Sequence, residues 1–341
     1  MAAGFKTATV RSGDVPATQT DFPTYVDLDR LGITTLAEAE SIRVYADEAK
    51  TTEWAREIVS ATEMHVKIPS LTSSTEIFVD WDGVRSDYAV GATYGRNAVW
   101  TGYEMVLHMN GAAATDIDDS TGEGNDVSAS GGTPVFNTTG KIDKAVEFAR
   151  TSSEFISVPD SASLSPTAAI NISMWTKPTS DSPAQGTLLS KRSSSSYAWE
   201  LNNESSAAFR LRINGNANLV DSSTNPVSGT WYYVVGSYDK DLVSNNIKMS
   251  VNGVNEANRN YTTAITDNTV AVAIARRSFI GAEYYADAVI DEVRIASDVK
   301  GDNWNLTEYN NQNDEATFWG TWTDAGGGAA QTARRGVVMM M

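Results

Sequence analysis

Carboxylates, two histidines and a few loop aromatics are the side chains through which this chain could do chemistry. The densest carboxylate run is ATDIDDSTGEGND (114–126), which holds Asp116, Asp118, Asp119 and Asp126. Calcium takes about 6–8 oxygen ligands, and such a loop could supply several of them. The spacing is not that of an EF-hand, because the D-x-D-x-D series closed by a glutamate at the twelfth position is missing. Asp291 lies in VIDEVRI (289–295), where strict alternation puts it on one face with Val289, Val293 and Ile295. If that face is buried, the carboxylate must be paired, bonded to backbone amides or bound to a cation. Cysteine is absent, which removes disulfides, thiolate catalysis and thiolate metal sites. His65 (MHVKI) and His108 (VLHMN) are the only histidines. Both fall in extended runs and read as solvent-facing or hydrogen-bonded strand residues; a triad or multi-histidine metal site would have to come from this pair and is not expected. Aromatic rings stack on pyranose faces while polar neighbours read the hydroxyls. Tyr197 and Trp199 (SSSSYAWE) and Tyr284 and Tyr285 (GAEYYAD) lie in or beside loops and are the glycan candidates. Trp175 and Trp231 sit in strand-like runs and read as core.

Those groups must be positioned by strands. Period-two alternation recurs in SIRVYA (41–46), EIFVDW (76–81), AFRLRING (208–215), NIKMSVNG (246–253) and AVIDEVRIA (288–296). In AFRLRING, Phe209, Leu211 and Ile213 share one face and Arg210 and Arg212 the other. Asn252-Gly253 predicts a tight hairpin turn, since both residues tolerate positive φ. Many short strands separated by Ser-, Gly- and Asn-rich punctuation predict an all-β sandwich. LAEAESI (36–42) and GDNWNLTEYNNQ (301–312) predict short helices, the second placing Trp304 and Tyr309 against the sandwich. The 341 residues, 41% of them hydrophobic, suffice for one large or two ordinary domains. The expected division is an N-terminal β-domain over 1–100, a larger sandwich over 101–320 and a flexible tail over 321–341. A formal net charge of -17 makes nucleic acid and anionic membranes poor partners. No run approaches the roughly 20 apolar residues of a membrane-crossing helix, and the opening MAAGFKTATVRSGD has no apolar secretion core.

GKIDKAVEFARTSSEFISVPDSASLSPTAAINISMWTKP (140–178) resembles the opening of a laminin-G-like, concanavalin A-type domain. GTLLSKR (186–192), GTWYYVVGSYD (229–239), VIDEVRI (289–295) and NLTEYNNQNDEATFWG (305–320) resemble further blocks of that family in the expected order. The similarity spans about residues 104–320. It implies a concanavalin A-like jelly-roll sandwich. FPTYVDL (22–28), ESIRVYAD (40–47), HVKIPSL (65–71) and YEMVLHMNG (103–111) resemble a small β-domain of unknown function that precedes such domains in bacterial and phage surface proteins; DWDG (80–83) departs from its usual strand end. The resemblance also implies a structural calcium tying the last strand to the incoming loop. Asp119 and Asp291 are its foremost ligands, with Asp116, Asp118 and Asp126 contributing.

Related glucanases carry two carboxylates on one strand in an E-x-D-x-x-E pattern, and no Glu-x-Asp occurs in this chain. The expectation is therefore a non-enzymatic structural or adhesion protein with a glycan or host-surface polysaccharide as partner. A lectin-like architecture without a secretion core suggests a virion protein, as a capsid decoration or a tail-fibre-like component, with a bacterial cell-surface adhesin as the alternative and a polysaccharide-active enzyme behind both. QTARRGVVMMM (331–341) would dock on other virion proteins. A homo-oligomer is compatible with such an assembly.

Overall fold

The computed structural model describes residues 3–180, 186–204, 208–278 and 284–326. In the N-terminal part a five-stranded sheet has the order Thr323–Asp324, Gly4–Thr9, Glu76–Trp81, Arg43–Tyr45, Glu53–Trp54. A three-stranded sheet has the order Gln19–Asp27, Glu63–Leu71, Arg56–Ile58. Alternation in Glu63–Leu71 works as expected on one side: Met64, Val66 and Ile68 enter the core with Phe22, Val26 and Val79. Its other face carries Glu63 and His65 and is also covered. The short helix Leu36–Glu40 forms where LAEAESI predicts one, capped by Thr35, whose hydroxyl accepts the Glu38 N–H.

The larger sandwich pairs strands antiparallel throughout. One sheet has the order Val135–Thr139, Lys144–Phe148, Ala288–Ala296, Ala169–Pro178, Tyr232–Asp239, Ile247–Val251, Val254–Arg259, and Met105–Leu107 also pairs with Ala288–Ala296. The facing sheet has the order Leu219–Asp221, Ala208–Ile213, Tyr197–Glu204, Gly186–Arg192, Val272–Ile274, Phe155–Val158, Ala129–Gly131. Side chains alternating inward from both sheets fill the core between them, among them Ile172, Trp199, Leu211, Val234 and Ile290. Asn252 and Gly253 both have positive φ (50° and 78°), forming the expected tight turn.

Two expectations are corrected. Strict alternation fails in Ala288–Ala296, because a bulge sits where Ser173 pairs with Arg294 but Trp175 pairs with Asp291. Glu292 takes φ 51° there. The extra residue changes the phase, so Ile290, Val293 and Ile295 face the core. Asp291, buried as expected, is hydrogen-bonded to the turn at 140–142 rather than packed among them. The second correction concerns the chain end. Helix Asp302–Asn313 and the short helix Glu315–Trp319 lead back to the N-terminal part. There Phe318, Trp319 and Trp322 complete the core, and Thr323–Asp324 pairs with Lys6 and Thr7. Within 321–326, expected as flexible tail, Trp322 joins the N-terminal core and Thr323–Asp324 forms a sheet edge. The segment 331–341 lies outside the described residues.

Helix Asp302–Asn313 buries polar side chains, because it bridges two surfaces that each offer polar partners. Tyr309 packs beside Trp175 at 5.8 Å between ring centroids, whereas Trp304 packs on Phe22 of the N-terminal part at 4.6 Å. The Asn311 amide donates to Tyr25 O (3.0 Å) and its Oδ1 accepts from Tyr25 N (2.7 Å). Tyr233 OH donates to Glu308 (2.6 Å) and Trp175 Nε1 to Gln312 (2.6 Å). Among the described residues no helix is long and apolar enough to cross a membrane.

Candidate functional site

The seven-stranded sheet carries apolar residues on the face toward the core and a charged array on the other. Register dictates this. Leu201 pairs with Leu211 and faces in, so Glu200 and Asn202, paired with Arg212 and Arg210, face out. Glu200 is fully buried and is the hub. It accepts from Arg192 Nη1 (2.5 Å), Arg277 Nε (2.9 Å), Tyr197 OH (2.9 Å), Thr187 Oγ1 (3.3 Å) and Arg212 Nη1 (3.5 Å). Arg212 and Arg210 also engage Glu204, at 2.8 and 3.1 Å. Burial lowers the Arg192 pKa to about 10 although Glu200 beside it pulls upward, so the guanidinium stays charged at neutral pH.

The same arginines hold the aromatics. The Arg192 guanidinium carbon lies 3.3 Å from the Tyr197 ring centroid and that of Arg277 lies 3.4 Å from the Tyr284 ring. Arg276 stacks on Phe155 at 3.3 Å, and Phe155 lies 6.4 Å from Tyr285. Tyr197, Tyr284 and Tyr285 are half-buried. Tyr197 OH additionally reaches Asn216 Oδ1 (3.1 Å) on the exposed turn. Of the four aromatics expected to meet a sugar, Trp199 is corrected: it is fully buried in the sandwich core, paired with Ile213 on the inward face. Glu200, Arg192 and Arg277 escaped notice in the sequence. The one legible signal was the outward phase of Arg210 and Arg212, which requires acidic partners on the neighbouring strand.

Among the described residues, the aspartates named for calcium are not gathered into one group of metal-ligand type. Asp119 Oδ1 accepts from Val106 N (2.9 Å) and Thr121 N (3.0 Å), and Oδ2 from Thr121 Oγ1 (2.6 Å) and Asn125 N (2.9 Å). Asp126 Oδ1 accepts from Asp119 N (2.7 Å). Asp291 Oδ2 accepts from the backbone amides of Lys141 (2.8 Å) and Ile142 (2.9 Å). Gly140 allows that approach, since a Cβ there would stand 2.7 Å from Asp291 Oδ2. Burial, followed by the charge of Glu292, holds the Asp291 carboxyl well above the usual range. Asp119 is thus ringed by N–H and O–H donors as a loop-closing acceptor, whereas Asp291 Oδ1 is buried without a hydrogen-bond partner. Asp116 and Asp118 are exposed and border a separate cleft.

Among the described residues, the group of metal-ligand type is a different one: Glu63, His65, His108 and Glu292. It lies where the N-terminal sheet meets the sandwich. The two histidines, expected as unconnected strand residues, are buried and stacked at 4.8 Å between centroids. His108 Nδ1 meets Glu292 Oε1 (2.6 Å) and Nε2 meets Glu57 Oε2 (3.1 Å). Burial opposes a charge on His108, but Glu292 and Glu57 outweigh it and hold its pKa well above the ordinary value. Burial lowers that of His65 well below it. Burial and the Glu292 charge push Glu63 up to about 8. Arg294 reaches both Glu292 and Glu308 and lies over Trp100, 4.7 Å from its centroid.

Residues 150–304 match the laminin-G-type model of the Concanavalin A-like lectin/glucanases superfamily. The chain therefore carries a concanavalin A-like domain, to which the strands from Met105 to Phe148 also contribute sheet positions. No curated protein matches the chain. Similar solved structures include the binding domain of Paraclostridial Mosquitocidal Protein 1 (13% identity, 61% of this chain and 52% of that one, TM-score 0.48). The botulinum neurotoxin serotype G binding domain is another (12% identity, 61% and 50%, TM-score 0.47). A third is domain 4 of AbnA, a GH43 extracellular arabinanase from Geobacillus stearothermophilus, in complex with arabinotriose (18% identity, 61% and 97%, TM-score 0.47). The match spans about half the length of each toxin domain.

Proposed function

We propose that the concanavalin A-like domain binds a glycan at the polar face of its seven-stranded sheet and does not cleave it. The observation that carries this reading is the fixing of Tyr197 and Tyr284 by Arg192 and Arg277, both anchored on Glu200. Half-buried tyrosines locked in place lose little entropy on stacking against a sugar, and the half-exposed Arg276 guanidinium and the exposed Asn216 amide supply hydroxyl partners. Membership of a lectin and glucanase superfamily agrees with a sugar ligand. The array does not suit hydrolysis. Retaining glycosidases need two carboxylates about 5–5.5 Å apart, one of them free to exchange a proton. Both oxygens of Glu200 are occupied, shared among five donors.

Binding to a broad panel of bacterial, plant and marine polysaccharides, followed by calorimetry on the best ligand, tests this. Tyr197→Ala and Tyr284→Ala should each weaken binding about tenfold, equivalent to roughly 1.4 kcal/mol. The reading fails if no ligand is found, if the double variant binds unchanged, or if new reducing ends appear. The finer reading is display of this domain on a virion surface, with a bacterial cell surface as the alternative. It rests on the lectin-like architecture and the apolar run 337–341, and a search for the protein in purified particles tests it.

A further inference from the structure

Both histidines of the chain meet two glutamates in one buried place, although they lie 43 residues apart in sequence, one in a strand of the N-terminal part and the other just past a strand of the sandwich. Glu63 and His65 are two apart on one face of Glu63–Leu71. His108 follows Met105–Leu107, and Glu292 projects from the bulge in Ala288–Ala296. We propose that Glu63, His65, His108 and Glu292 bind a divalent transition metal of the zinc class, which clasps the N-terminal β-domain to the sandwich.

Geometry is the first support. One ligand atom from each residue can be chosen so that all four lie within 4.8 Å of one another. Individual separations are 2.9 Å for His65 Nε2–Glu63 Oε1 and 3.2 Å for His108 Nδ1–Glu63 Oε1. They are 2.6 Å for His108 Nδ1–Glu292 Oε1 and 3.9 Å for His65 Nε2–Glu292 Oε2. A tetrahedral ion with bonds of about 2.0–2.1 Å spaces its donors by about 3.3 Å, so these pairs would have to shift by up to about 0.7 Å, and a pair at the 4.8 Å limit by about 1.5 Å, to accommodate it. Two imidazole nitrogens with two carboxylate oxygens suit zinc and its neighbours rather than calcium or magnesium, which take oxygen shells. Four protein ligands and full burial describe a closed, structural site.

The surroundings supply the rest. Behind His108, Glu57 accepts from Nε2, and Ser120 Oγ (2.6 Å) and Trp100 Nε1 hold Glu57 in turn. A carboxylate behind a ligating imidazole fixes its orientation and basicity. Arg294 orients Glu292 in the same way. Two ligand side chains keep buried polar atoms without partners, Glu63 Oε2 and His65 Nδ1. Of these, Glu63 Oε2 belongs to a carboxylate that would face the ion, whereas His65 Nδ1 lies on the ring edge away from the ligating Nε2. Glu292 and Glu308 share the single guanidinium of Arg294, so Glu57 and Glu63 have no arginine partner in this buried group. A cleft of ≈ 200 Å³ reaches His108 and Glu57, and the exposed Asp116 and Asp118 border it as an acidic approach for a cation.

The test uses the full chain purified without a histidine tag or chelator. Elemental analysis should find one zinc-class ion per chain. After chelation, Zn2+ should bind stoichiometrically and raise Tm, and Co2+ should develop the intense visible absorption of a tetrahedral site. His65→Gln and His108→Gln should each lose that spectrum while keeping the far-UV circular dichroism. The wild-type measurements decide the matter even if a variant fails to fold. Absence of stoichiometric metal, together with no Tm shift and no spectrum on adding Zn2+ or Co2+, overturns the proposal and leaves a hydrogen-bonded clasp. A Co2+ spectrum that survives in folded variants also overturns it, because the ion then sits elsewhere.

Discussion

Substituting Glu200 by Gln keeps the side-chain volume nearly constant while removing one charge and turning one acceptor into a donor. Glu200 is fully buried and touches three arginines, a tyrosine hydroxyl and a threonine hydroxyl. Removing one member of a buried ion pair costs about 3–5 kcal/mol, mostly because its partners remain charged and desolvated. Two features place this variant at the lower end. Arg212 keeps Glu204 at 2.8 Å, and Arg192 and Arg277 keep their stacking on tyrosine rings. The expected loss is therefore about 3 kcal/mol. Urea unfolding followed by tryptophan fluorescence and circular dichroism measures it, with the slope against denaturant checked for constancy. Glycan affinity should fall as well, since Tyr197 loses its anchor. A loss below about 1 kcal/mol, the range of solvent-screened surface pairs, would refute the reasoning, because it would mean that water already reaches Glu200.

Three other expectations are open to direct measurement. Trp319→Ala should cost about 3–5 kcal/mol, since the ring is fully buried in the N-terminal core and donates to Tyr25 O; a loss under about 1 kcal/mol would remove the chain end from that core. Burial holds the Glu315 carboxyl at about 7 against 4.5 in its ordinary state, although Arg30 pulls it down. A folded-state pKa above the unfolded one means the folded protein retains a proton that the unfolded chain releases. The Glu315 contribution therefore declines as pH rises from about 4.5 to about 7 and is flat beyond. Glu315→Gln should remove that part of the Tm–pH profile, and an unchanged profile would disprove the assignment. Finally, excess calcium added to metal-free protein should leave Tm unchanged, because both carboxylate oxygens of Asp119 already accept from backbone donors. A rise that Asp119→Asn abolishes would restore the calcium site.

The all-β class, the inward phase of Phe209, Leu211 and Ile213, the turn at Asn252-Gly253 and the two helical segments were legible from period and turn chemistry. Those signals are local, acting over two to four residues. The face of Asp291 was misread because a bulge is a local event without a strong side-chain signature. Trp199 was misread because a strand beginning beside a serine-rich loop looks like loop until its partner strand sets the register. The family blocks pointed to the concanavalin A-like domain, yet they did not distinguish acidic residues that bind ions from those that cap backbone.

By itself the sequence determined that the chain is built of strands, which face is apolar in strands without a bulge such as Ala208–Ile213, and that two histidines and no cysteines are available for chemistry. Only the tertiary structure decided what covers the second, polar faces. His65 and Glu63 occupy the polar phase of their strand, as do Glu292 and Arg294 on another, and alternation alone would leave all four in solvent. The N-terminal sheet, the sandwich and the helix Asp302–Asn313 close over them instead. The physical reason is that a strand's period specifies two faces but not their neighbours. Those are set by long-range packing, and here it places charges separated by as many as 229 residues, Glu63 and Glu292, within reach of one another.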